Sequence, residues 1–375
     1  MHSQLAIKKT GRSFGIVTSH PLVYTFGMLV KGLNFYTKYF GVWVVLFGVA
    51  AYLWPELFLN LEKGITWFFA STIARVLPAP LRLKTGMNWF FAITMFGIGA
   101  VLQIEDFKRI MRNPLLVIVG IAAEYTTTPI GAYVIAKVFN LPPEIAVGLI
   151  LTGSAPAAMS SNVINYVAKA DTAYSVSLTT ASTLLCPILT PTLTFLLARS
   201  RLDVPFFGMV LDVVNMVIIP LFIGFGVRHF FKERVERILP VFPAISVTFI
   251  IFICSSVIAQ NKPYLMQMTP VVLAAGVILN VYGLLAGYGV GMAARMNVAR
   301  RRTLAIEIGM QNAGLGTILA RDHFGQKAAM PAAVFVFICI ITASLVAALW
   351  RRSVPDEQSG CASGDAGGMG HERSG

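Results

Sequence analysis

The sequence predicts an all-α membrane protein of ten transmembrane helices arranged as two inverted five-helix repeats. The apolar composition, the number and spacing of long apolar runs, and two runs broken at corresponding places carry that expectation. Of 375 residues, 56% are hydrophobic and 13% are charged, whereas a soluble domain carries about a quarter charged residues. The formal net charge of +13 is gathered in short clusters between apolar runs. It follows neither one face nor an aromatic interleave, so nucleic acid is set aside as a partner and the lipid bilayer takes its place.

A helix needs roughly 17–25 mostly apolar residues to cross a bilayer. Ten stretches qualify, near 41–58, 87–104, 114–138, 145–168, 172–198, 205–227, 240–260, 269–294, 303–320 and 330–350. Residues 59–86 are apolar but short and interrupted by Arg75 and two prolines, and they read as a long interfacial loop. Segment 1–40 reads as a cytoplasmic or interfacial leader without a cleavage site. Segment 351–375, rich in Gly and Ser, reads as a disordered cytoplasmic tail. The transporter domain is then 41–350, with repeat one at about 41–198 and repeat two at about 205–350. Most of the 30 Lys and Arg fall on the side of the two termini, which the positive-inside rule assigns to the cytoplasm of a bacterial inner membrane. Cys186, Cys254 and Cys339 lie inside apolar runs and, with Cys361, show no metal-ligand spacing; they read as small core residues.

The fourth stretch contains GSAPAAMSSN, residues 153–162, where a proline and small hydroxylated residues break a helix. The ninth contains EIGMQNAGLG, residues 307–316, with a carboxylate, two amides and three glycines at bilayer depth. The distance from Ser161 to Glu307 holds five helix-plus-loop units of roughly 29 residues each. Five is odd, so the second half enters the membrane inverted, and paired broken helices in inverted halves mark the binding site of a secondary transporter. Glu307, Gln311 and Asn312 on one broken helix, Ser161 and Asn162 on the other, and Ser175 and Thr179 at i, i+4 offer oxygen ligands to a hard cation such as sodium. The competing expectation pairs Glu307 with one of Arg300, Arg301 or Arg302.

Elsewhere, Asp212 reads as a solvated cap near a helix start, Trp43, Trp54 and Trp350 as lipid-facing or belt residues, and 105–114 as a cytoplasmic connection.

Three segments, EIGMQNAGLG, SSNVINYVAKADTAYSVSLTTASTLLCPILTP and FGIGAVLQIEDFKRI, resemble the bile acid:sodium symporter family. The likeness runs from about Gly41 to Trp350. It implies that broken helices four and nine cross in a core of helices three to five and eight to ten, beside a panel of helices one, two, six and seven. It implies a first sodium held by Ser161, Asn162, Ser175, Thr179 and Glu307, and a second by Glu307, Gln311 and the carbonyls of Ile308 and Met310. Asn312 would face the substrate, with Met159 and Ser160 beside it. The chain departs from the family at two places. Glu124, in AAEYTTTP, stands where bacterial relatives carry glutamine, adding a second carboxylate to the second site, so that a proton is a candidate to replace one of the two sodium ions. Met159 stands where relatives carry threonine, and the His-Asn pair of helix ten is replaced within VFICIITAS, which points away from bile acid itself.

The expected function is a sodium-coupled symporter of a small organic anion working by alternating access, since half-helix N-termini favour an anionic guest. A proton-coupled or mixed carrier, or an exporter of the same superfamily, is the alternative. An intramembrane enzyme is disfavoured because the chain carries no H-E-x-x-H, nucleophile elbow or paired intramembrane aspartates. A channel is disfavoured because helices seven, eight and ten are nearly free of polar positions. A monomer suffices for all of this, and the sequence leaves the oligomeric state open.

Overall fold

The computed structural model describes residues 32–33, 35–37, 39–72, 83–231, 235–236, 238–239 and 241–352. The expectations for the leader 1–40 and the tail 351–375 fall almost wholly outside these residues, as does Cys361. The helices are α1 Phe40–Leu53, α2 Pro55–Thr72, α3 Gly86–Val101, α4 Ile104–Arg112, α5 Pro114–Val138, α6 Pro143–Gly153 and α7 Ser161–Val167. They continue as α8 Thr172–Ala198, α9 Phe206–Phe230 with a π-helical turn at Val214–Ile218, α10 Val241–Ala293, α11 Val298–Gly309, α12 Ala313–Phe324 and α13 Gln326–Arg352.

Among the described residues, six helical runs are long and apolar enough to cross a membrane, and eight if each of two bent pairs counts as one span. The protein is thus an integral, multi-pass membrane protein. Two of the six runs, Val241–Pro263 and Pro270–Ala293, belong to α10. The chain reverses between them. Cys254 Sγ lies 3.9 Å from the Ala333 carbonyl, and a side chain at Gly276 would touch Ile338; residues 333 and 338 are neighbours on α13, whereas a straight helix would separate 254 from 276 by roughly 33 Å.

The segment expected as a loop at 59–86 is helical as far as Thr72, the last residue described before Leu83. Trp54 precedes Pro55, which disfavours helix at the tryptophan and starts a new one after it, so α1 and α2 meet at 105°. Trp67 is 72% exposed on α2, while Glu62 of the same helix is mostly buried. The connection at 105–114 is likewise helical: α3 ends in extended backbone at Leu102, and Asp106 accepts from the Gln103 N–H at 2.9 Å to begin α4, 75° away from α3.

Glycines set which helices approach most closely. A side chain at Gly99 of α3 would run into the Leu221 carbonyl of α9, and one at Gly224 into the Phe96 carbonyl. On the other side, Gly148 of α6 lies against the Ala328 carbonyl of α13, Gly153 against Thr128 of α5, and Gly287 of α10 against the Leu304 carbonyl of α11. Close backbone approach through small residues is how membrane helices gain packing without a hydrophobic driving force. These approaches join α3 to α9, α6 to α5 and α13, and α10 to α11.

Candidate functional site

Both predicted breaks are present. The fourth stretch divides into α6 and α7 around residues 154–160, and the ninth into α11 and α12 around 310–312. A broken helix exposes N–H and C=O groups that hydrocarbon cannot satisfy. Here the two breaks satisfy each other: Ala158 N–H donates to the Met310 carbonyl at 2.8 Å, Asn312 N–H donates to the Pro156 carbonyl at 2.6 Å, and Ala157 and Gln311 form an antiparallel bridge. The crossing brings together the C-terminal ends of α6 and α11, rich in carbonyls, and the N-terminal ends of α7 and α12, rich in N–H groups.

Glu307 is completely buried, one turn before its break. Ser161 Oγ donates to its Oε1 at 2.7 Å, Ser175 Oγ at 2.5 Å and Asn165 Nδ2 at 2.9 Å, while Thr179 Oγ1 reaches Oε2 at 2.8 Å. Asn162 Oδ1 lies 2.6 Å from Ser175 Oγ and 3.5 Å from Thr179 Oγ1. A hydroxyl has one proton to give. Ser175 therefore cannot satisfy Glu307 and Asn162 together, and Thr179 faces Glu307, Asn162 and the Ser175 carbonyl with a single proton. The acceptors outnumber the protons, and that oxygen set suits a hard monovalent cation.

The arginine alternative is ruled out by geometry. Arg300 pairs with Asp171 at 3.2 Å, Arg301 donates to the Met296 carbonyl and Arg302 to that of Trp350.

A second group of oxygens lies across the same crossing. Glu124 on α5 and Gln311 are each 1% exposed. The Gln311 amide oxygen finds no hydrogen-bond partner among the described residues, and the carboxylate of Glu124 makes no well-formed hydrogen bond there, the donors nearest to it being the Ala157 N–H and the Ser182 hydroxyl. The Gln311 amide nitrogen is occupied by Thr128 Oγ1 at 3.2 Å and the Ile308 carbonyl at 3.0 Å, which holds the oxygen in place. The Met310 carbonyl already accepts from Ala158, leaving one lone pair each on the Ile308 and Met310 carbonyls. A buried carboxylate without an opposite charge is costly unless a cation or a proton joins it, so these residues fit a cation too.

Asn312 lies at the break before α12, where its Oδ1 accepts from the Leu315 N–H at 3.2 Å and caps the helix. Met159 and Ser160 are partly exposed beside it, in the break before α7. Asp212 is not a solvated cap; it lies 2.6 Å from Lys84 and 2.9 Å from His323. Cys186, Cys254 and Cys339 are buried free thiols, as their apolar surroundings require.

Two residues escaped the sequence reading. Asn165 donates to Glu307, Ser175 Oγ and the Ser161 carbonyl; its signal was the i, i+4 spacing from Ser161, which places it on the same face. Asn280, in the apolar second half of α10, donates to the Gly309 carbonyl at 2.8 Å, at the last residue of α11 before the break. Its signal was a lone amide in VVLAAGVILNVYGLL.

The comparisons with known proteins converge with this geometry. The family model of the Sodium Bile acid symporter family matches residues 89–268. The chain is 35% identical over 327 residues to "Uncharacterized sodium-dependent transporter YocS" of Bacillus subtilis, covering 87% of this chain and 95% of that one. It is 34% identical over 321 residues to "Probable sodium/metabolite cotransporter BASS1, chloroplastic" of Arabidopsis thaliana, covering 85% and 79%. It is 26% identical over 276 residues to the human "Hepatic sodium/bile acid cotransporter", covering 70% and 77%. These relatives are named as transporters and cotransporters, not as enzymes. A carrier's broken helices, crossing around a buried carboxylate, lie in a chain that shares a third of its residues with a transporter along nearly that transporter's full length: this protein belongs to the sodium bile acid symporter family.

Proposed function

We propose that this protein is a sodium-coupled symporter of a small organic anion, working by alternating access as a monomer-sized unit in a bacterial inner membrane with both termini cytoplasmic. The observation that carries the reading is the Glu307 carboxylate, buried at the crossing of two broken helices among more acceptors than protons. Sodium would enter as a transported ion. Ser161, Asn162, Ser175, Thr179 and Glu307 are the proposed ligands of one sodium, with Asn165 orienting the carboxylate. Glu124, Glu307, Gln311 and the carbonyls of Ile308 and Met310 are the proposed ligands of a second. The guest would bind beside Asn312, Met159 and Ser160, where the N-terminal ends of α7 and α12 favour negative charge. The ten-helix inverted repeat is part of this proposal: the antiparallel bridge between the breaks supports it, since the two broken helices run past each other in opposite senses.

Purified protein tests the reading before a substrate is known. A ligand that binds only the folded state raises its apparent stability, so melting temperature should rise with sodium but not with potassium, and Glu307→Ala should lose the rise while remaining folded. Organic acids screened in sodium then identify the guest, and uptake into vesicles driven by a sodium gradient confirms coupling. Equal melting curves in sodium and potassium would count against sodium as the ion.

One observation favours a second reading, in which a proton replaces one sodium: Glu124 is a second fully buried carboxylate beside Glu307, with only the Ala157 N–H and the Ser182 hydroxyl near it and no cation among the described residues. Uptake driven by a proton gradient in wild type, and lost in Glu124→Gln with sodium-driven uptake kept, distinguishes the mixed carrier from the sodium-only one.

A further inference from the structure

The end of α12 farthest from the crossing carries a group of buried charges that the ion and substrate sites do not use. Arg321 and Asp322 side chains are each 6% exposed. Arg321 reaches Glu62 of α2 at 3.0 Å and Thr85, the cap of α3, at 2.9 Å. Asp322 accepts from Asn88 of α3 at 2.8 Å and pairs with Arg321 at 3.1 Å. His323 Nε2 lies 2.9 Å from Asp212 of α9, which Lys84 also meets. Three consecutive residues of the broken helix are therefore tied to three different helices, two of which, α3 and α9, form the glycine-joined pair.

The other half of the broken helix differs. α11 packs on α5, α7, α8 and the second half of α10, and α7, beside it, presents Val163 and Tyr166 at 64% and 76% exposure. Nearer the crossing on the α12 side, a side chain at Gly314 would lie 3.4 Å from Phe249 and 3.9 Å from Phe91, both almost fully buried. From the crossing to the end of α12, an aromatic layer is thus followed by a charged one, and both are made of side chains, not of interlocked backbone.

We propose that the charged layer at the end of α12 is a gate: Arg321, Asp322 and His323 lock the broken helix onto α2, α3 and α9, sealing that membrane face, and the lock opens when the path is exposed there. This rests on the alternating-access reading. Its physical basis is that buried charges are stable only while paired; separating them requires water to replace every partner, so the layer is either closed and dry or open and wet. α2 is suited to such a part, because it meets α1 at a sharp bend and holds Arg321 through a single side chain, Glu62, which also receives Gln260 at 2.5 Å.

The test uses a cysteine-free full chain carrying Gly314→Cys as reporter, in oriented vesicles. A membrane-impermeant thiol reagent is added to one face or the other, and the rate of modification is measured. Asn88→Asp sets two carboxylates against each other and should speed modification from the α12 face at least tenfold. Glu62→Gln, a milder change, should do so in the same direction. The exchange Asn88→Asp with Asp322→Asn restores a donor opposite an acceptor and should return the rate toward the parent value. Rates unchanged in both Asn88→Asp and Glu62→Gln would overturn the gate, and so would an equal rise from both faces, which signals unfolding. Sodium-driven uptake in the same vesicles fails or succeeds independently of the labelling, so loss of the transport reading is distinguishable from loss of the gate.

Discussion

At the proposed sodium site, Asn165 would hold the carboxylate without holding the ion. Its amide nitrogen has two protons facing three acceptors, one of them charged, and a hydrogen bond to a charged group contributes about 1.5–3 kcal/mol. Asn165→Ala should therefore weaken apparent sodium affinity by roughly tenfold or more, while turnover at saturating sodium is kept; uptake titrated against sodium measures it. An unchanged sodium curve with a lower melting temperature would make Asn165 a purely structural contact. At this scale the sequence was informative wherever chemistry was expensive. A carboxylate in an apolar run had to have partners, and Ser161, Ser175 and Thr179 were identifiable from type and spacing. Asn165 is not legible in the sequence alone, because which of two amides three residues apart faces inward depends on where α7 starts. That start is fixed by the break's pairing with Met310 and Gln311, far away in sequence.

At the scale of helices, apolar length located the predicted stretches on helical residues, but not the angles between helices: the first stretch, 41–58, straddles the 105° bend between α1 and α2. Residues 59–72 of α2 read as part of a loop because the apolar run there is short and interrupted by Arg75 and two prolines, and a helix lying at an angle to its neighbour needs no spanning length. The glycine contacts, too, are invisible without the partner: a glycine in an apolar run does not reveal whether backbone or empty space lies beyond it. That difference is measurable. Gly99→Val and Gly148→Val place atoms against carbonyls of the neighbouring helix, and overpacking of this kind costs about 1–3 kcal/mol. Both should lower the melting temperature in detergent, whereas Gly226→Ala and Gly64→Ala, with nothing within 4 Å, should leave it unchanged or raise it, by about 0.5–1 kcal/mol of stability.

Across the whole molecule, α3 is joined to α9, and α6 to α5 and α13, by close backbone approach, whereas the end of α12 meets α2, α3 and α9 through side chains. If the α3–α9 pair and α12 move as separate bodies, tying them together should stop the cycle while ties within one body should not. A short bifunctional thiol linker between Asn88→Cys and Asp322→Cys should bring sodium-driven uptake to background. The same linker between Phe107→Cys and Phe225→Cys, whose native rings are 5.4 Å apart on α4 and α9, should leave initial rates as they were before cross-linking. Loss of uptake in both pairs would mean that α4 and α9 also move relative to each other.

The pairing of the two breaks has a consequence for how the protein is made. Ser161 and Glu307 are 146 residues apart, so α6 and α7 leave the ribosome and enter the membrane long before α11 and α12 exist. Until then the freed backbone of the first break and the hydroxyls and amides around it have no protein partner, and water must accompany them. Contacts of such long range form late, after most of the chain is inserted. Arrival of the second broken helix expels that water and delivers the carboxylate in one event. Completion of the fold and assembly of the proposed ion site are then expected to be the same step, and a chain interrupted before α11 is left with a hydrated fault at its centre.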